Sequence, residues 1–177
     1  SNDGYITFYN SGTGGTISNS VLDNVYINAQ EGSPTFDNNE VSNVLIAFYL
    51  GTSTSTVSNN TIIDCGDAFE MGTTGVPNFA NNTITNTRAV INLLDTNGTG
   101  ENVSLIKYQY PYRMVSSLTI TNGSLTIDPN VEIDLRQYVI NLNGSTISAD
   151  QVNFKSTYNS NDGYITFYNS GTGGTIS

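Results

Sequence analysis

The sequence contains no histidine and no tryptophan, and its only cysteine is Cys65. Without a second cysteine no disulfide can form within the chain, so cysteine usage indicates neither an oxidising nor a reducing compartment. Without histidine, the Cys–His and Ser–His–Asp arrangements that activate most catalytic nucleophiles are excluded. We therefore expect Cys65 to be a small buried apolar residue.

Basic residues are also scarce. Five Lys and Arg stand against fifteen Asp and Glu, which gives a net charge of −10. Nucleic acids and anionic membranes both attract clustered Lys and Arg, so neither is an expected partner. No apolar run reaches the length of a membrane-spanning helix, and no membrane insertion is expected in this segment.

The strong helix formers Lys, Glu, Ala and Leu are scarce as well, and no segment keeps a 3.6-residue apolar period over three turns. Asn, Ser, Thr and Gly are abundant instead, and these residues are poor in helix interiors and favoured in turns. Apolar residues alternate over short runs such as SLTITNGSLTI and GYITFY, which is the period of a β-strand. The sequence predicts an all-β fold with almost no helix.

The first eighteen residues, SNDGYITFYNSGTGGTIS, recur without a change as residues 160–177. An identity of this length at a single offset, with Ser160 in the place of Ser1, indicates a tandem repeat. We expect residues 1–159 to be one complete repeat unit and residues 160–177 to be the start of the next identical one. No Pro-, Ser- or Gly-rich linker separates them, so we expect one continuous rod.

A shorter period lies inside the first half. Four segments align without gaps: TISNSVLDN, TFDNNEVSN, TVSNNTIID and NFANNTITN, which begin at Thr16, Thr35, Thr56 and Asn78. Two of the aligned columns are apolar: Ile17, Phe36, Val57 and Phe79 form the first, and Leu22, Val41, Ile62 and Ile84 form the second. Two other columns are polar: Asn19, Asn38, Asn59 and Asn81 form one, and Asn24, Asn43, Asp64 and Asn86 form the other.

These columns have a simple physical interpretation. If each segment belongs to one turn of a solenoid, equivalent residues stack ~4.8 Å apart on adjacent parallel strands. The apolar columns then form core ladders. The Asn columns form ladders at the corners, where Asn tolerates the left-handed backbone of a sharp turn and its amide can bond to the next coil.

The N-N-x-I/V pattern, present as NNEV, NNTI and NNTI with NSVL as a variant, resembles the coil signature of the right-handed parallel β-helix family, which includes pectate lyases. The stretches SLTITNGSLTIDPNVEIDL and YVINLNGSTISADQVNFKST are similar to the lead-in coils of large secreted and cell-surface members. The resemblance implies a right-handed parallel β-helix, continuous between tandem repeats, with coils of about 19 to about 22 residues. It departs at Asn130, where Gly is usual after Pro129.

Family resemblance also raises Ca²⁺-dependent polysaccharide lyase or glycoside hydrolase activity. Such enzymes need carboxylates that lie together, and the acidic residues nearest to that pattern are Asp64, Asp67 and Glu70. They are candidate metal ligands, against the alternative of a ladder Asp, a turn Asp and a surface ion pair with Arg88. No motif matches a catalytic site of the family, so no catalytic residue is predicted, and no cofactor is expected unless Ca²⁺ binds.

Residues 101–117, ENVSLIKYQYPYRMVSS, interrupt the pattern with three tyrosines and Pro111. We expect either an excursion packed on the outside of the helix or a contact surface.

Two functions remain open. The first is a structural or adhesive segment of a giant extracellular or cell-surface tandem-repeat protein that forms a stalk, filament or surface layer, and whose main partner is itself through head-to-tail stacking. The second is a polysaccharide-binding or polysaccharide-degrading module, for which cell-surface glycans would be the partner. Repetition makes length, whereas an enzyme rarely needs many identical active sites along one rod, so the first is favoured.

Overall fold

In the computed structural model, the described residues are 4–10, 12, 14–94, 98–158, 162–169 and 173–177. These residues form 24 β-strands and no helix, which confirms the all-β fold class. None of them therefore belongs to a helix long and apolar enough to cross a membrane. The expected boundary between the two repeats, at residues 159 and 160, lies outside the described residues.

The chain divides into two compact units, Ser1–Ile91 and Asn92–Ser177. The strands of the first unit are β1 (Gly4–Phe8), β2 (Thr16–Ser18), β3 (Val21–Asp23), β4 (Val25–Ala29), β5 (Thr35–Asp37), β6 (Glu40–Ser42), β7 (Ile46–Tyr49), β8 (Thr56–Ser58), β9 (Thr61–Ile63), β10 (Asp67–Gly72), β11 (Asn78–Ala80) and β12 (Thr83–Thr85). The next strand, β13 (Arg88–Leu94), contains the division between the units.

In the first unit each strand pairs in parallel with the strand three positions further along the chain. Strands β1, β4, β7 and β10 lie in one sheet, β2, β5, β8 and β11 in a second, and β3, β6, β9 and β12 in a third. Three strands therefore make one coil, and backbone hydrogen bonds between parallel strands stack the coils. The first unit is a parallel β-solenoid.

The strand registers stack the two apolar columns in the interior of this unit. Ile17 pairs with Phe36, Phe36 with Val57, and Val57 with Phe79. The second column runs through Leu22, Val41, Ile62 and Ile84 in the same way. Phe36, Val57, Val41 and Ile62 are fully buried, and Ile17 and Ile84 are half-buried.

An aromatic column, of which the sequence columns included only Phe36 and Phe79, adds to this core. Its rings belong to Phe8, Phe36, Phe48, Phe69 and Phe79, with successive centroids 5.7, 5.3, 6.1 and 4.3 Å apart. The column draws on two sheets, because Phe48 and Phe69 come from β7 and β10 while Phe36 and Phe79 come from β5 and β11. Such offset and tilted ring contacts add to the hydrophobic gain of burial.

The second unit repeats the three-strand coil. Its strands are β14 (Gly98–Thr99), β15 (Asn102–Leu105), β16 (Tyr112–Met114), β17 (Leu118–Thr121), β18 (Ser124–Ile127), β19 (Glu132–Asp134), β20 (Val139–Asn143), β21 (Thr146–Ala149), β22 (Asn153–Lys155), β23 (Tyr164–Tyr168) and β24 (Gly173–Ile176). One sheet has the order β14-β17-β20-β23, another has β15-β18-β21-β24, and β16, β19 and β22 are neighbours in a third. The second unit is also a parallel β-solenoid.

Two expectations need correction in this unit. Residues 101–117 are not an excursion, since they supply β15 and β16, and Tyr112 is buried at 1% exposure with its hydroxyl donating to the carbonyl of Ile106 at 2.9 Å. The expected coil length holds until the last coil, which is longer. There Val139 pairs with Tyr164 and Thr146 with Gly173, because the links before and after β23 contain more residues than those of the coil before.

Candidate functional site

Two corners of each coil in the first unit are made by residues with a left-handed backbone. The first corner joins the second strand of a coil to the third, and the second corner joins the third strand to the next coil. All eight residues of the two polar columns have φ between +50° and +60°: Asn19, Asn38, Asn59 and Asn81 at the first corner, and Asn24, Asn43, Asp64 and Asn86 at the second. Asn and Asp enter this region at lower cost than other residues with a side chain, which explains their recurrence.

The corner side chains bond from coil to coil, in two patterns. At some steps the side-chain amide of one corner residue donates directly to the corner residue of the preceding coil, as from Asn38 to Asn19 at 2.7 Å and from Asn86 to Asp64 at 3.0 Å. At other steps the acceptor is the aspartate just before the corner. Asn43 donates to Asp23 at 2.7 Å, and Asn59 donates to Asp37 at 2.8 Å.

A second asparagine ladder, which the aligned columns did not single out, lies inside the first corner. It consists of Asn39, Asn60 and Asn82, each directly after a corner asparagine, and Asn39 and Asn60 are 3% and 1% exposed. The side-chain oxygen of Asn60 accepts from both the backbone and the side-chain nitrogen of Asn39, each at 3.0 Å. The oxygen of Asn82 accepts from the same two groups of Asn60, at 3.0 and 3.1 Å.

Each buried amide also donates to a backbone carbonyl of the preceding coil. The acceptors are Ile17 for Asn39, Phe36 for Asn60 and Val57 for Asn82, at 2.9–3.0 Å. The inner ladder thus satisfies backbone groups that the bend would otherwise leave buried without partners. The signal was present in the sequence as the second Asn of each N-N pair, because a polar residue repeated at a tight bend marks a buried hydrogen-bond partner as often as a solvated one.

Asp23 and Asp37 each stand just before a corner asparagine. The pKa of Asp37 lies below its ordinary value of 3.8, because Ser58 donates to the carboxylate at 2.7 Å and Asn59 also donates to it. The pKa of Asp23 is lowered in the same way by Asn43 and Ser42. Both bonds favour the ionised carboxylate, so each aspartate holds two coils together more strongly when charged.

Replacing Asp37 with Asn should therefore remove a pH-dependent part of the stability. The lowered pKa means that the stabilisation is fully present above pH 3.8 and is lost as the pH falls through the folded-state pKa. Urea midpoints measured from pH 7 to pH 2 should show Asp37→Asn less stable at neutral pH and equal to the parent in acid. Asp23→Asn should behave likewise, and a difference that stays constant with pH would contradict the assignment.

The three acidic candidates take different positions. Asp64 is at the second corner, with φ +54°. Asp67 is buried at the start of β10, where the guanidinium of Arg88 donates to both carboxylate oxygens at 2.6 and 3.1 Å. This pair raises the pKa of Arg88. Glu70 is half-buried on β10 beside Tyr49. Among the described residues, no group of three or more Asp, Glu, Cys or His side chains is arranged to hold a metal ion.

Cys65 follows the second corner and is buried, at 6% exposure. Its thiol is 3.4 Å from the carbonyl of Ile63 and 3.7 Å from that of Val41. Burial raises the pKa of this thiol, which keeps it protonated and unreactive at neutral pH. The position is that of a packed structural cysteine.

Three tyrosines collect on the outer side of the sheet that contains β1, β4 and β7. Tyr5, Tyr26 and Tyr49 form this tyrosine cluster, with ring centroids 5.6 Å apart for the first pair and 6.4 Å for the second. Tyr5 is 72% exposed, and the other two are half-buried. Burial, with the nearby charge of Glu70, raises the pKa of Tyr26 to about 12, so the cluster stays uncharged at physiological pH.

The comparisons with known proteins add no relative to this description. No protein-family model, no curated protein and no solved structure matches the chain.

Proposed function

We propose that this repeat is a structural or adhesive segment of an extracellular, cell-surface tandem-repeat protein, in which copies are joined into a stalk, filament or surface layer. The observation that carries the proposal is the packing of residues 162–169 and 173–177, whose sequence is that of residues 3–10 and 14–18. These residues supply β23 and β24, each as a further strand of an existing sheet. A repeat that begins as the next coil of the one before it makes length without a linker.

The contacts at this point are those of an ordinary coil. Tyr164 to Tyr168 pair in register with Val139 to Asn143, and the amide of Gly144 donates to the carbonyl of Tyr168 at 3.0 Å. Side chains follow: the hydroxyl of Thr166 donates to Asn141 at 2.9 Å, and the amide of Asn169 donates to Asn143. The sheets of the second unit thus accept the start of a further copy as their next strands, which supports further copies of the repeat as the partner.

The test is the length of chains with one, two and three repeats. Each added repeat should lengthen the particle by roughly 35 Å, at ~4.8 Å per coil. Electron microscopy of negatively stained particles, with the mass determined by light scattering, measures this directly. Compact particles whose length does not grow with repeat number would overturn the proposal.

The second candidate is a module that binds polysaccharide. The tyrosine cluster favours binding over cleavage, because aromatic faces at exposed positions stack on sugar rings, whereas the acidic candidates are divided between a corner, an ion pair and a strand. Screening on a glycan array with the parent and with Tyr26→Ala would test it. Tyr158→Ala is the control, since that ring is not a member of the cluster and lies under the guanidinium of Arg136.

A further inference from the structure

We propose that the described residues of one repeat supply 22 strands, one more than a multiple of three, so that the strands of each following repeat continue the sheets of the repeat before it with an offset of one sheet. The inference rests on the proposed function, because it concerns tandem copies of the repeat. It identifies the partner surface for a second copy and the strands that meet there.

The sequence that recurs at the end of the chain forms a strand in both of its copies. GYITF forms β1 in the first copy, and YITFY forms β23 in the second. Among the described residues, the second copy thus begins 22 strands after the first, which is one more than a multiple of three. β1 belongs to the sheet of the first strands of each coil, whereas β23 pairs with β20, in the sheet of the second strands.

The same residues pair with buried apolar residues in both places, although Phe167 is 48% exposed, so the change of sheet is not a change of fold. Ile6 and Phe8 pair with Ile27 and Ala29 in the first copy. Their counterparts Ile165 and Phe167 pair with the buried Ile140 and Leu142. The backbone agrees as well, with φ of +75° and +68° at Asn10 and Asn169, and +141° and +146° at Gly15 and Gly174.

Chain length explains why β23 does not return to the sheet of β22. Only eight residues separate Lys155 from Tyr164. A strand that stacks on its equivalent needs a whole coil between the two, and even a short coil, such as that from Thr16 to its partner Thr35, is more than twice as long as this link. A link of this length therefore reaches only the neighbouring sheet.

A polar contact fixes where the second copy continues. At the first corner of the first unit, Ser58 comes just before Asn59 and donates to Asp37, which comes just before Asn38. In the second unit Ser177 donates to Asp150 at 2.8 Å, and Asp150 comes just before Gln151, whose φ is +54°. Ser177 is the counterpart of Ser18, the residue before Asn19. The backbone amide of Gln151 donates to the carbonyl of Ser177 at 2.7 Å, as the amide of Asn38 does to Ser58 at 3.1 Å.

The asparagine corner of the following repeat is thereby aligned on Gln151. Continuing from this alignment without gaps, Phe154 comes next to Leu22 of the following repeat, and Lys155 comes next to its Asp23. Both fits are favourable, since Phe154 and Leu22 are the inward residues of their strands. Lys155 already forms an ion pair with Glu132 in the strand before it, and would have a second carboxylate on its other side.

The offset moves the tyrosine cluster from one sheet to another. Its strands β1, β4 and β7 lie in one sheet, whereas β23, the counterpart of β1 in the second copy, continues the sheet of β20.

Cysteine cross-linking tests the alignment in a chain of two consecutive repeats in which Cys65 is replaced by Ala in both copies. Lys155→Cys in the first repeat together with Asp23→Cys in the second should form a disulfide under mild oxidation, because paired residues on adjacent strands have the Cα separation that a disulfide requires. Lys155→Cys with Thr7→Cys in the second repeat, the pair expected for a whole number of turns, should not.

Each outcome decides the question. A disulfide in the first pair alone supports the offset of one sheet. A disulfide in the second pair alone, in both or in neither overturns it. The positive control is Asn141→Cys with Thr166→Cys in the 177-residue chain, whose positions pair in the structure. If the particles lengthen with repeat number but the first pair forms no disulfide, the offset is wrong and the proposed function is still supported.

A glycine pair gives a second measurement without cross-links. Gly15 and Gly174 are the same residue of the repeat with nearly the same φ, so Ala is equally strained in both. A Cβ at Gly174 would meet the carbonyl oxygen of Ile147 at 1.9 Å, whereas the nearest atom to one at Gly15 is 3.8 Å away.

Gly174→Ala should make amide hydrogen exchange in β24 at least about tenfold faster, and Gly15→Ala should change exchange in β2 much less. In the two-repeat chain, Gly15→Ala in the second copy should accelerate amide exchange as much as Gly174→Ala does in the 177-residue chain. If all three substitutions accelerate exchange equally, the proposed docking is wrong.

Discussion

Replacing Asn60 with Ala should lower the free energy of unfolding by about 2–4 kcal/mol, although the change removes no apolar atom from the core. Asn60 is 1% exposed and accepts from the backbone and side chain of Asn39. It also donates to the carbonyl of Phe36 and the side chain of Asn82. Alanine would leave the buried N–H of Asn39 without this acceptor, and an unsatisfied buried group costs more than the bond itself contributes.

Asn59→Gly is the matched control for this substitution. Asn59 is the preceding residue, is exposed, and has φ +56°, which glycine adopts without strain. Its loss removes exposed bonds to Asp37 and Asn81 and should cost under about 1 kcal/mol. Urea denaturation of the parent and both variants measures the difference. If the two variants are equally destabilised, the inner asparagine ladder has no special weight in the corner.

The positions of the corner and core residues could be predicted because a solenoid repeats its environment. Phe36, Val57 and Phe79 occupy equivalent places in successive coils, so each column in the sequence corresponds to one place in the structure. The left-handed corners were predictable for the same reason, since few residues other than Gly, Asn and Asp recur where φ is positive. The periodicity shows which residues occupy equivalent positions and therefore stack, which a single sequence without repeats does not show.

What the columns could not give is the direction and partner of each side chain. Asn59 and Asn60 are the same residue type in adjacent positions, yet one is exposed and the other is buried, because the left-handed φ at Asn59 turns the chain between them. Likewise Asp64 and Asp67 are close in sequence, but a corner separates them and Arg88 from the next coil binds Asp67. A spacing argument that assumed one straight strand through 64–70 could not place them.

The number of strands per repeat was also beyond the sequence. The coil lengths given by the aligned columns fit seven or eight times into residues 1–159. The exact number of strands depends on how many residues lie between consecutive strands. The pairing of Thr146 with Gly173, the longest separation of paired strand residues in the second unit, shows that long links occur without an added strand. Only the pairing of β23 with β20 reveals that the repeat ends one strand into a new coil.

Replacing Phe48 with Ala should cost about 3–5 kcal/mol, the largest effect expected of a single side chain in the first unit. The ring is fully buried on β7, with the rings of Phe36 and Phe69 at 5.3 and 6.1 Å on its two sides. Truncation therefore leaves a cavity in the middle of the aromatic column. In a solenoid each coil contacts only its neighbours, so such a gap weakens the coupling between the coils on either side.

Tyr49→Ala separates this effect from the general loss of an aromatic residue on β7. Tyr49 is the next residue, is half-buried on the outer side of the sheet, and contacts Tyr26 at 6.4 Å. Its truncation leaves a space that water can fill, so we expect a cost of about 1 kcal/mol. Urea midpoints, together with hydrogen exchange of β5, β7 and β10, measure both. If Phe48→Ala leaves exchange in the neighbouring coils unchanged, the aromatic column does not couple them, and a filament built from this repeat must take its stiffness from the hydrogen bonds between the coils.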